Sequence, residues 1–157
     1  MKTSLEEARE QTHKDTVNVL QGIIEKNYDA EKGYKKAMED AKNPALKNFL
    51  KRQAVQRSTF ATAIDKELRN LGEAPKESGS MTGTLHRAWI DIKSSLAGND
   101  DEAVLEEVIR GEKASVEEYE DAIKNTTLAP QIHSVLQSQL NDIQGTLNRV
   151  KTLEDIA

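Results

Sequence analysis

Six polar residues interrupt apolar helical stripes in this chain: Asn27, Glu31, Gln53, Arg57, Glu112 and Gln139. Inward-facing polar groups of this kind in a helical bundle can build a two-metal centre. Such a centre takes a single Glu from each of two helices and a Glu-x-x-His from each of the other two, because residues i and i+3 share a helix face and together satisfy a pair of hard cations. Glu31 and Glu112 could supply the single carboxylates. At the paired positions stand Gln53-x-x-Gln56 and Gln139-x-x-Asp142, which offer mostly neutral amides where charge is required, and Arg57 adds a cation beside any metal. The expectation is a metal-free polar core with no catalytic residues and no cofactor. The weaker alternative is iron or manganese gathered by Glu31, Glu112 and Asp142 with help from the glutamines and water. Counting outward from the first interhelical turn brings Glu31 level with Gln53 and Arg57, which predicts a Glu31–Arg57 ion pair that fixes register more than it stabilises.

The remaining reactive side chains are scattered. With no cysteine there is no disulfide, thiolate nucleophile or sulfur-ligated metal. The three histidines fall in a charged N-terminal stretch (His13), a connection (His86) and the first turn of the last helix (His133), so no two share a helix face. Glu117-Glu118 reads as a hydrated face, and Asp100-Asp101-Glu102 as a helix start that welcomes negative charge. No glycine-rich phosphate loop or Gly-x-Ser-x-Gly elbow is present.

The elements that must position these groups follow from periodicity. From Asp15, a candidate N-cap, Val17, Leu20, Ile24, Asn27, Glu31, Tyr34, Met38 and Ala41 recur at alternating spacings of three and four, predicting a helix that ends near Lys42. Asn43 caps a second helix with Pro44 at its first position, carrying Leu46, Leu50, Gln53, Arg57, Phe60, Ile64 and Leu68 inward until Gly72. The turn between them is short enough to force an antiparallel pair. After an irregular connection, a shorter amphipathic segment bears Leu85, Trp89, Ile92 and Leu96 on one face, and a gap of this length lets the third long helix run parallel to the second. The third helix presents Leu105, Val108, Glu112, Ser115, Tyr119 and Ala122. The fourth starts at Pro130 and presents Ile132, Leu136, Gln139, Ile143, Leu147, Val150 and Leu153. Tyr34-Lys35-Lys36-Ala37-Met38 recurs as Tyr119-Glu120-Asp121-Ala122-Ile123, and Asn43-Pro44 as Ala129-Pro130, so a helical hairpin is duplicated at an offset of about 85 residues. Residues 1–14 read as a charged extension, frayed but helical, in which Ser4 and Glu7 could form a capping box, and residues 15–157 as one domain.

Composition narrows the function classes. A net charge of −5, with both signs mixed along the helices, excludes the basic stripe that a nucleic-acid binder needs. No stretch is long and apolar enough to cross a bilayer, and the N-terminus lacks the apolar region of a secretory signal, so cytoplasmic residence is the default expectation.

With the duplication, Tyr34 and Tyr119, the string His86-Arg87-x-Trp89-x-Asp91-Ile92-Lys93 and Gly111-Glu112-Lys113 in view, the chain resembles a bacterial family of ferritin-like four-helix-bundle proteins of unknown function, over about Asp15 to Asp155. The resemblance implies an all-α, ferritin-like four-helix bundle built from two duplicated hairpins, with a short helix in the long crossover and no activity to carry over. Association with stress follows from analogy with some ferritin-like relatives. Trp89 and its apolar neighbours are most simply laid against the bundle. His86, Arg87, Trp89, Asp91 and Lys93 together form a possible docking segment for an unidentified protein partner, and a homo-oligomer is the other association the helix faces allow. The resulting expectation is a non-enzymatic structural or interaction protein, with the metal-binding or oxidase-like bundle as the alternative.

Overall fold

In the computed structural model, which describes residues 3–75 and 101–156, four long helices carry the chain: α1 (Ser4–Asp40), α2 (Pro44–Asn70), α3 (Asp101–Asn125) and α4 (Pro130–Arg149). A short 3-10 turn, Leu153–Asp155, follows. No strand occurs among the described residues, and no helix among them is long and apolar enough to cross a membrane. The predicted short crossover helix lies outside the described residues.

The start of α1 corrects the sequence reading. The helix is continuous from Ser4, and the capping box sits one residue earlier than expected: the Glu6 amide donates to Thr3 Oγ1 at 3.1 Å and the Thr3 amide to Glu6 Oε2 at 3.0 Å. Asp15 is therefore no N-cap but an interior residue, whose carboxylate accepts from Gln11 Nε2 at 2.9 Å. Residues 3–15 are all exposed. Local caps and i,i+4 pairs carry the helix through this exposed stretch, so the extension expected to be frayed is continuous with α1.

Helix ends elsewhere follow from single residues. α1 stops at Asp40, two residues short of the expected Lys42, where the chain turns extended at Ala41. Asn43 Oδ1 accepts from the amides of Ala45 (2.8 Å) and Leu46 (3.3 Å), and Pro44 occupies the first helical position, where its missing N–H costs nothing. Gly72, at φ +80°, closes α2: its amide donates to the Arg69 carbonyl and that of Glu73 to Leu68, the paired bonds of a left-handed glycine cap. α4 ends at Arg149, so Val150 and Leu153, expected within that helix, belong to its cap and to the 3-10 turn.

Hydrogen bonds between helices fix the order of packing. Asn27 and Tyr34 on α1 meet Tyr119 and Glu112 on α3 respectively, so these two helices run antiparallel. Gln131 and Gln139 on α4 reach Glu67 and the Phe60 carbonyl on α2, so that pair is antiparallel as well. With α1·α2 and α3·α4 packed as hairpins, α2 and α3 stand parallel and diagonal across the bundle. That is the arrangement one long connection permits and an up-down-up-down order does not. Two apolar clusters fill the interior, one around Tyr34, Leu46, Leu50 and Val108, the other around Leu20, Ile24, Ile64 and Leu136.

Duplication has left one terminus unequal. Ala129 stands where Asn43 stands in the first hairpin, and α4 accordingly begins with no side-chain cap, although the backbone at Ala129 (φ −58°, ψ 147°) suits one. Ala129→Asn should raise stability by about 0.5–1 kcal/mol, read as a melting temperature higher by about 1–4 °C.

Candidate functional site: a polar network at the bundle centre

The polar residues near mid-helix are joined by a chain of hydrogen bonds through all four helices. Arg57 on α2 is its hub, 1% exposed, and its guanidinium donates from Nη2 to Glu112 Oε1 (2.7 Å) on α3 and from Nη1 to Asn27 Oδ1 (2.9 Å) on α1. Asn27 spends its amide hydrogens on the Ile23 carbonyl (3.0 Å) and the Tyr119 hydroxyl (2.8 Å). Tyr119 in turn donates to Gln139 Oε1 (2.7 Å) on α4, and Gln139 Nε2 closes back onto the Phe60 carbonyl of α2 (3.2 Å). The Tyr34 hydroxyl donates to Glu112 Oε1.

The repeat explains this layout. Asn27 and Glu112 occupy equivalent positions in the two halves, as do Tyr34 and Tyr119. Each tyrosine crosses to the residue of the opposite half: Tyr34 to Glu112, Tyr119 to Asn27. The two-fold plan breaks where charge enters, with Glu112 opposite an amide and Arg57 opposite Ile143, and at Gln53, which does not take the place in the network that its counterpart Gln139 holds. One cation and one anion result, facing each other.

The predicted Glu31–Arg57 pair does not form. Arg57 turns inward to Glu112, while Glu31 is only half-buried and pairs with Lys35 one turn along α1 (2.9 Å). An i,i+4 partner on its own helix is reached with less desolvation than one in the core. Gln53 is buried one turn before Arg57 without joining the chain of bonds; its Oε1, like Gln56 Oε1, Arg57 Nε and Glu112 Oε2, has no hydrogen-bond partner among the described residues. The network thus brings together Asn27, Arg57, Glu112 and Gln139. Sequence reasoning noted Tyr34 and Tyr119 as repeat markers and missed them as members of the network; their seam positions, about two turns along from Asn27 and Glu112, were the available signal. Asp101 was missed as well: its carboxylate accepts from the amides of Lys42 and Asn43, both at 2.9 Å, and ties the start of α3 to the α1–α2 turn.

Electrostatics follow from burial and from the charge pair. Burial opposes the charge on Arg57, but Glu112 and the two tyrosines outweigh it and push its pKa up, so the guanidinium stays charged. Burial first and the Glu112 charge second hold the Tyr34 phenol well above its ordinary value of 10.0, with Arg57 pulling the other way. Tyr119 is pushed up to about 12 by burial, against the opposing pull of Arg57 and Asn27. Both phenols therefore remain proton donors throughout the neutral range.

The same geometry tests whether a two-metal centre fits. It does not. Glu112 Oε1 is committed to Arg57 and Tyr34, Glu31 to Lys35, and Asp142 is exposed on α4. Among the described residues no group of three or more His, Asp or Glu side chains stands close enough to hold a metal ion. His13 lies 3.7 Å from Glu73 at the end of the bundle and His133 is exposed. His86, Arg87, Trp89, Asp91 and Lys93, the predicted docking segment, lie outside the described residues.

Two outcomes check this description. Arg57→Met should cost roughly 3–5 kcal/mol, because it strands a buried carboxylate, and adding Glu112→Leu should recover much of that loss; a double-mutant cycle in chemical denaturation should show strong coupling to Glu112 and less than about 0.5 kcal/mol to Glu31. Because the phenol pKa values are raised in the folded state, the unfolded chain loses these protons first. The tyrosine contribution to stability is therefore fully present below pH ~10 and falls as pH rises further, by up to about 1.4 kcal/mol per pH unit for each tyrosine. Denaturant titrations across that range should give a shallower decline for Tyr119→Phe than for the native chain.

No curated protein is significantly similar to this chain. One family model does match it, over residues 15–125, from the first turn of α1 that approaches the bundle through the end of α3. The match covers well over half the chain, and the bundle it spans is consistent with a ferritin-like fold. The chain belongs to the family described as "Domain of unknown function (DUF2383)".

Proposed function

We propose that this protein is a non-catalytic ferritin-like bundle that works as a structural or interaction module, with its own arginine standing where relatives of this architecture would place metal. The observation that carries the reading is the Arg57 guanidinium bonded to Glu112 at the centre of the four helices. An internal cation neutralises the Glu112 carboxylate, and Asn27 and Tyr34 bond to the same pair, so the centre favours a single rigid register over exchange with a ligand. In this reading residues 15–157 form the domain and residues 1–14 an extension whose exposed helix is available for contacts; the compartment is the cytoplasm.

Metal analysis of the full chain purified from its native cell tests the proposal. Iron and manganese at substoichiometric levels are expected. Either metal at one or more equivalents, retained through dialysis, would overturn it in favour of an atypical carboxylate and amide site.

A further inference from the structure

Charge is divided unequally between the two diagonal helices. Between Pro44 and Ile64, α2 contains no Asp or Glu, and its exposed Lys47, Lys51 and Arg52 form no ion pair among the described residues. Beside Lys51 a groove of about 340 Å³ opens between α1 and α2, floored by Met38, Ala54 and Val55 and bordered by Lys35 with its ion-pair partner Glu31, which leaves Lys51 as the uncompensated charge on its rim. Val55 is 59% exposed, one of only two large hydrophobic residues so exposed among those described. α3 is the reverse: nine Asp and Glu against three Lys and Arg. Its exposed Glu106, Glu117, Glu120 and Asp121 have no ion-pair partners among the described residues; Arg110, paired with Glu107, and Lys113 stand between them and Lys124 after them.

Because α2 and α3 are diagonal, their outer faces point to opposite sides of the bundle. A chain of net charge −5 thus carries a basic, partly apolar face on one side and an acidic helix on the other. We infer that the groove between α1 and α2 receives the acidic α3 face of a second copy of this chain, in a head-to-tail contact. The unlike faces attract between molecules, whereas they cannot meet within one. A contact of this sort is heterologous: each molecule uses two different surfaces, so association continues into rings or short filaments and does not stop at a symmetric dimer. Opposite potentials steer the encounter and set its orientation, and the groove around Val55 supplies the apolar surface withdrawn from water. This deepens the interaction reading above by naming a partner, and rests on it; metal content decides that reading and self-association decides this one, so either can fail alone.

Sedimentation velocity on the full chain over a concentration series tests the contact. Association is expected at about 0.01 M salt and should weaken by about tenfold or more at about 1 M, where the Debye length shrinks from ~30 to ~3 Å. Lys51→Glu with Arg52→Glu makes both faces acidic, and Glu117→Lys with Glu120→Lys makes both basic. Each double variant, checked for native helicity by circular dichroism, should sediment as a monomer by itself, while an equimolar mixture of the two should associate again. A native chain that stays monomeric at low salt, association indifferent to salt, or a mixture that remains monomeric would each overturn the inference.

Discussion

The contact between Arg57 and Glu112 constrains everything around it. Two charges withdrawn from water this completely are tolerated only when each finds the other and the neighbouring polar groups are aimed at them. That requirement sets the rotamers of Asn27, Tyr34 and Tyr119, and through Tyr119 that of Gln139, so one charge pair specifies side chains on all four helices. Sliding α2 or α3 by one turn would separate the charges inside an apolar core, at roughly 3–5 kcal/mol against less than about 1.5 kcal/mol for a tolerated hydrophobic repacking. The pair acts more as a lock on register than as a source of net stability.

Lying between two apolar clusters, the network also divides the interior. Tyr34 and Tyr119 belong to both worlds, since each ring packs with one apolar cluster while its hydroxyl serves the polar centre. This amphipathic role suits tyrosine and explains why both halves of the duplicated sequence retain it at the same position. Among the polar positions the halves diverge where charge or a cap enters, where Asn27 faces Glu112, Arg57 faces Ile143 and Asn43 faces Ala129 in the alignment of the repeats. The two-fold symmetry survives in the backbone and the phenols, and the charge pair is where the centre departs from it.

Much of the fold was legible because helix seams, Asn43-Pro44 and Gly72 each act through local physics that a sequence displays directly. What escaped depends on something else. Residues 1–14 read as a frayed helical extension, whereas a capping box at Thr3 and polar side chains on a solvated surface make it continuous with α1, and no apolar stripe announces that continuity. At the centre, the membership of Asn27, Arg57, Glu112 and Gln139 could be read from polar interruptions in the seams, but the pairing could not. Counting along one hairpin placed Glu31 level with Arg57, yet which carboxylate faces the guanidinium is decided by the rotation of α1 and by the distance across the bundle to α3, and neither is encoded in spacing along a single helix.

The two anchors that bracket the crossing from α2 to α3 carry a consequence for how the second hairpin docks. Gln21 Nε2 holds the Ala74 carbonyl at 2.8 Å, and Asp101 holds the Lys42 and Asn43 amides, so both ends of the crossing are moored to the α1–α2 hairpin. The entry point of α3 is thus set by the first hairpin itself, whatever lies between the moorings. That placement starts the third rod at a fixed height, and the same rod then delivers Glu112 to Arg57.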